Sequence, residues 1–144
     1  MIDKVVRIVR AICVMYIVVT LDMLSKHIVP YLNMSYWFNL EIDRFGISLF
    51  VQCIVAVISI VGGLYVLTHF KSTQLRRFEI PFGLFAGGVI ANMGSVLLGP
   101  PGVMDFIVAG PIIMNVADIG IFVGIAGIWS IVSWDAWQNY KISR

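Results

Sequence analysis

Apolar positions gather into four long runs, at about residues 5–29, 47–70, 78–98 and 111–134, separated by short polar or Gly/Pro-rich stretches. A spanning helix needs about 20 mainly apolar residues to cross a hydrocarbon core of roughly 30 Å. Each run meets that length, so the pattern predicts four transmembrane helices. The first run carries Arg7 and Arg10 near its start and Asp22 and Lys26 near its end. No small-residue cleavage site follows its apolar centre, so a retained helix is expected and not a cleaved leader. Residues 30–46 mix aromatics with polar groups and contain a short alternation, Leu40, Ile42 and Phe45 against Glu41 and Asp43. That alternation predicts a small β-like segment, an interfacial strand or hairpin, between helices 1 and 2. The Gly99-Pro-Pro-Gly102 turn ends the third run. The expected fold is therefore an all-α membrane protein, a four-helix transmembrane bundle forming one integral membrane domain over residues 1–144.

Composition agrees with this class. Hydrophobic residues make up 60% of the chain and charged residues only 12%, with a mean hydropathy of +0.95, whereas roughly a quarter of a soluble domain is charged. The net charge of +2 is small, so nucleic-acid binding is not expected. Where the basic residues fall matters more. Lys4, Arg7, Arg10, Lys71, Arg76, Arg77, Lys141 and Arg144 lie on one side of the expected bundle, and Lys26 and Arg44 on the other. The positive-inside tendency then puts both termini and the 71–77 loop in the cytoplasm. Trp134 and Trp137 fall at the inner interface, Tyr36 and Trp37 at the outer one. Asp22, the 30–46 β-like segment and the Gly-Pro-Pro-Gly turn fall outside, which makes that segment periplasmic.

Cys13 and Cys53 differ in depth, so no disulfide is expected. No His/Cys/Asp cluster has metal-ligand spacing, His27 reads as an interfacial side chain, and neither a metal nor a cofactor is called for. Small residues recur at a spacing of four, Gly83, Gly87 and Ala91 on the third run and Gly120 and Gly124 on the fourth. Such faces allow close backbone approach between helices.

Against this apolar background, residues 84–118 carry two carboxylates, Asp105 and Asp118, and two amides, Asn92 and Asn115. Charge in such surroundings is costly unless something pairs with it or uses it. A buried Asp hydrogen-bonded to a neighbouring amide is the structural explanation. Two acids on one side, in converging segments, point further, to a two-carboxylate site at the mouth of the bundle. Carboxylates sharing a site do not both ionise easily, and a dyad holding one proton can activate water with one member and protonate with the other.

At these residues the chain resembles the bacterial lipoprotein signal peptidases, also called signal peptidase II. Leu21-Asp-Met-Leu-Ser-Lys26 resembles the family's Asp-x-x-Ser/Thr-Lys motif. Phe38-Asn-Leu, followed by Gly46, is similar to the segment before its Asn-x-Gly-x-Ala-Phe motif. Gly87-Gly-Val-Ile-Ala-Asn92 is similar to Gly-Gly-x-x-Gly-Asn, Val103-Met-Asp-Phe106 to Val-Val-Asp-Phe, and Asn115-Val-Ala-Asp118 to Asn-x-Ala-Asp. The resemblance implies that Asp105 and Asp118 are catalytic. It implies supporting or substrate-binding roles for Asn92, Asn115, Asp22, Lys26, Arg44 and Gly46, with the two amides orienting the dyad and Asp22 with Lys26 bracing the outer end of helix 1.

The activity implied is that of an aspartic intramembrane endopeptidase at the outer face of the bacterial inner membrane, cutting a lipid-modified preprotein just before its lipidated cysteine, among membrane lipids. Departures are specific. Ser95-Val96 stands where the family has Asp-Arg, Arg44 where it has Asn, and the 13 residues from 105 to 118 are fewer than usual. They define the alternative, a non-catalytic or specialised paralogue that scaffolds or assembles partners in a membrane complex. A small transporter or proton pathway ranks last, since no inverted repeat or broken helix pair is visible.

Overall fold

The computed structural model describes residues 2–39, 49–69, 77–98 and 102–142. Among them are four helices, α1 (Ile2–Tyr31), α2 (Leu49–His69), α3 (Glu79–Leu98) and α4 (Val116–Ile142). Four short strands join them, β1 (Trp37–Asn39), β2 (Val103–Asp105), β3 (Ile107–Ala109) and β4 (Ile112–Met114). α1, α3 and α4 are long and apolar enough to cross a membrane, and α2 holds a shorter apolar stretch, Ala56–Val66. At 1.5 Å per residue α3 is about 30 Å long, the thickness of a hydrocarbon core. Ile12, Ile17, Leu21 and Leu24 of α1 and Phe122 and Val123 of α4 point outward. Such a surface is stable in lipid and not in water.

α1 ends where its sequence permits. Asn33 takes a left-handed backbone, with φ of 51°, and the Met34 and Asn33 amides bond back to the Val29 and Pro30 carbonyls at 3.3 and 3.2 Å. These are the two bonds of a Schellman ending, and Asn is the residue after Gly that tolerates this conformation best.

α3 is the central helix. It runs parallel to α1 and antiparallel to α4, and glycines set both contacts. A Cβ on Gly83 would lie 2.7 Å from the Ala11 carbonyl oxygen, and one on Gly87 would lie 2.8 Å from that of Met15. The other side of α3 meets α4. A Cβ on Gly120 would lie 3.1 Å from the Leu84 carbonyl, one on Gly124 would lie 2.6 Å from the Phe85 nitrogen, and one on Gly88 would strike the Ala117 carbonyl. The stripe at Gly83 and Gly87 therefore seats α1, and Gly88 with Gly120 and Gly124 seats α4. At the far end from the turn, buried Phe78, Phe82, Ala86 and Ala11 form a core against which Met15, Ile60, Val66 and Ile128 pack. There Arg10 reaches buried Glu79 at 3.4 Å and ties α1 to α3.

Replacing Gly87 by Leu should force α3 off α1 at a cost of about 3 kcal/mol or more, the upper end for overpacking. Thermal unfolding in detergent checks this, and an unchanged midpoint would show that the α1–α3 contact is loose.

Three expectations change. Residues 111–114 are not the start of a helix. Ile112–Met114 pairs antiparallel with Ile107–Ala109, closed by Gly110-Pro111 with φ of 62° at Gly110, a two-residue turn that Gly opens. Short apolar runs fit strand or helix equally by pattern, and β-branched Ile112 and Ile113 favour the strand. The last helix also continues past 134 to Ile142, since nothing after Asp135 breaks it and Lys141 suits its final turn. Finally, the chain is not purely helical, and the expected strand of the 30–46 segment, β1, has a partner far along the chain. It pairs with β2, Trp37 opposite Asp105 and Asn39 opposite Val103. The alternation at Leu40, Glu41, Ile42, Asp43 and Phe45 lies outside the described residues.

Candidate functional site

The C-terminal ends of α1 and α3, the N-terminal end of α4 and strand β2 meet at one end of the molecule, and the polar residues gather there. Asn115 sits immediately before α4. Its side-chain oxygen accepts from the Asp118 amide at 2.9 Å, and its own amide donates to Asp118 Oδ2 at 3.0 Å. This is a reciprocal capping box, with Asn at the cap and Asp three residues on. It satisfies two amides that a helix start leaves without partners and fixes the Asp118 carboxylate against its own backbone. A second carboxylate serves the same helix end from another element. Asp22 of α1 accepts from the Ala117 amide at 2.9 Å. Negative groups at a helix N-terminus also meet the positive end of its dipole.

Asn115 does more than cap. Its Nδ2 donates to Asp105 Oδ1 at 2.7 Å and to Asn92 Oδ1 at 3.2 Å, and Asn92 Nδ2 donates to Asp118 Oδ1 at 2.8 Å. The two amides thus connect the two carboxylates, Asp105 at one end and Asp118 at the other. Asn115 is fully buried and Asp105 is 3% exposed, so each buried group requires such partners.

Lys26 completes the network. Its ammonium lies 2.6 Å from Asp22 Oδ2, one turn earlier on α1, and donates to Ser95 Oγ at 2.9 Å and Asn92 Oδ1 at 3.4 Å. The ammonium thus makes one ion pair and two hydrogen bonds. Asp22, Lys26, Asn92, Asn115, Asp105 and Asp118 therefore lie in one connected set. Arg44 and Gly46 lie outside the described residues.

Ser95 belongs to the set and was not among the residues singled out for the site; it stood only as a departure. Its hydroxyl donates to the Ala91 carbonyl at 3.0 Å while its oxygen accepts from Lys26. The signal was present in the spacing, because residues three apart on a helix share a face, and Asn92 and Ser95 face Lys26 together. Ala117, which contributes only its backbone amide, carries no signal in the sequence.

A sequence profile of signal peptidase (SPase) II matches residues 14–134. The chain belongs to the signal peptidase II family. The match begins within α1 and runs into α4, so every described member of the polar set lies inside it. Among solved structures, a bacterial membrane enzyme determined by the in meso method at 2.3 Å resolution superposes with a TM-score of 0.73. It shares 18% identity over 88% of each chain, which is a likeness of fold. Among curated protein sequences none matches at a significant level. The protein is thus a multi-pass membrane member of a family whose work is the cleavage of lipoprotein signal peptides.

Proposed function

We propose that this chain is an aspartic endopeptidase of the bacterial inner membrane, a four-span bundle in which α2 is the remaining span, that removes signal peptides from lipid-modified precursors. Both termini face the cytoplasm and the polar set faces outward, as the distribution of Lys and Arg supports. The single observation that carries the reading is the amide bridge, in which Asn115 holds Asp105 and Asn92 holds Asp118. Two carboxylates so connected can divide the work of hydrolysis.

In the proposed reaction, the ionised member takes a proton from water as the water oxygen attacks the scissile carbonyl. The protonated member gives its proton to the carbonyl oxygen. The tetrahedral diol then collapses: one of its hydroxyls returns a proton to the second carboxylate, the carbon–nitrogen bond breaks, and the proton first taken from water passes to the leaving amine, which restores the dyad. Asn92 and Asn115 keep the carboxylates in position, and the Asp22–Lys26 pair fixes Asn92 and the start of α4. Positioning of this kind is a large part of such catalysis, since small displacements of reacting groups lower rates steeply.

Two cellular experiments test the reading. In bacteria depleted of their own lipoprotein signal peptidase, expression of this chain should restore mature lipoprotein on immunoblots. Persistent precursor, with the protein present in the membrane, would favour a scaffold. Reporter fusions in the 71–77 loop and after Arg144 should signal cytoplasm, and one near Pro100 the opposite side. An outward 71–77 loop would put the aspartates on the wrong face.

A further inference from the structure

At the opposite end of the bundle from the aspartates, Glu79 begins α3 with a carboxylate that the fold leaves half used. The residue is 3% exposed. Its Oε1 lies 3.4 Å from Arg10 Nη1, and its Oε2, sealed from solvent, has no hydrogen-bond partner among the described residues. Buried polar atoms are nearly always paired, because one left unpaired costs about 1–3 kcal/mol of lost hydration. The start of a helix favours an acid, but an exposed acid would serve the dipole as well. Phe78 and Phe82, on either side of Glu79 along α3, belong to the apolar core, and their side chains offer no donor.

Arg10 is a loose cover for this group. Its side chain is 64% exposed and a single long contact holds it, and an ion pair with one member so exposed is worth little. Glu79 is therefore a sunken carboxylate with a displaceable cation at its mouth. What suits it is an ammonium or guanidinium on a flexible stem, with hydrogens to give to Oε2 as well as Oε1. Lys4 and Arg77 are exposed at the same end, but salt screens exposed charges beyond about 10 Å, so selection falls to direct contact with the desolvated acid.

We infer that Glu79 receives a lysine or arginine from the basic segment that begins a signal peptide, displacing Arg10, and so sets the length of signal helix that is accepted. The assignment rests on the peptidase reading above and on its orientation. A signal peptide starts with a positively charged segment, followed by about 7–15 apolar residues ahead of its cleavage site. A substrate helix with its N-terminus in the cytoplasm brings that segment to the end of the bundle where Glu79 lies. The separation also fits. Glu79 and Asn92, which holds Asp118, are 13 residues apart on α3, about 20 Å at 1.5 Å per residue. An apolar helix within the signal-peptide range covers that distance. Arg10, once displaced, finds water and lipid phosphate.

The test uses the full chain in phosphatidylcholine nanodiscs, whose neutral lipid does not gather basic peptides. Two lipid-modified precursors are compared, with two lysines or two glutamines ahead of about 13 apolar residues. The lysine precursor should show a KM about ten-fold lower at equal kcat. Glu79→Gln should erase that difference by raising KM for the lysine precursor alone with kcat unchanged, a split that a general loss of structure does not give. Arg10→Gln keeps a hydrogen-bond donor but removes the competing charge, and should lower KM for the lysine precursor about three-fold. Lengthening the apolar segment by four residues, about 6 Å of helix, should cancel the parent's preference for lysine. Equal KM for the two precursors, a lysine preference that survives Glu79→Gln, or one indifferent to helix length would each overturn the inference. If Glu79→Gln does not accumulate, Arg10→Gln decides, and an unchanged or raised KM counts against the exchange. Binding of dye-labelled precursors to Asp118→Asn, followed by anisotropy, separates the two readings. Lysine-dependent binding without any cleavage by the parent defeats the peptidase and leaves the Glu79 site, and cleavage indifferent to lysine does the reverse.

Discussion

Asp105→Asn and Asp118→Asn should each reduce cleavage of a lipid-modified precursor by about a thousand-fold or more, within the range of an acid–base contribution and above. An amide keeps the size of the carboxylate and can still accept from Asn115 or Asn92, which hold the native groups at 2.7 and 2.8 Å. What it cannot do is carry a proton between water and substrate. The fold should therefore survive, with the thermal midpoint of Asp105→Asn close to the parent's and that of Asp118→Asn somewhat lower, because its single oxygen can keep only one of the bonds from Asn92 and the Asn115 amide, and the loss should fall on kcat. A variant retaining a tenth of the parent's rate or more would remove that aspartate from the chemistry.

The largest effect on stability should come from Asp22. It is fully buried, accepts from the Ala117 amide and neutralises a Lys26 whose side chain is 10% exposed. Asp22→Leu removes the only carboxylate recorded against that ammonium among the described residues, and leaves an amide of α4 without its acceptor. Breaking a buried pair by deleting one partner costs about 3–5 kcal/mol, while replacing both partners with apolar groups is often close to neutral. The double variant Asp22→Leu, Lys26→Met should therefore recover much of the stability that the single one loses. Unfolding in detergent measures both. If the double variant is no more stable than the single one, the ammonium is not what makes the loss severe.

Much of this fold was legible because lipid is a strict solvent. A run of about 20 apolar residues has few alternatives, so the helices emerged from hydropathy, and Asp105 and Asp118 stood out because charge is rare there. What hydropathy could not show was the state of Ile112–Met114, where three apolar residues suit a hairpin as well as a helix. The pairing of Trp37–Asn39 with Val103–Asp105 was hidden for another reason: partners far apart in sequence leave no local mark. The polar set was legible in its members and not in its wiring. The capping bonds between Asn115 and Asp118 lie within one turn, but the reach of Asn115 to Asp105 and Asn92, and that of Asp22 to Ala117, depend on how α1 and α4 dock on α3. Ser95 carried the opposite lesson. It stood as a loss relative to a charged residue, yet it receives the Lys26 hydrogen that would otherwise lack a partner.

The most direct measurement is product mass spectrometry with purified protein in lipid and a diacylglyceryl-modified precursor. The expected products are a free signal peptide and a mature chain that begins at the lipidated cysteine, absent with Asp118→Asn. An intact precursor, with the parent protein folded and the precursor cleavable by a known lipoprotein signal peptidase, would contradict the assignment of this chain as a peptidase.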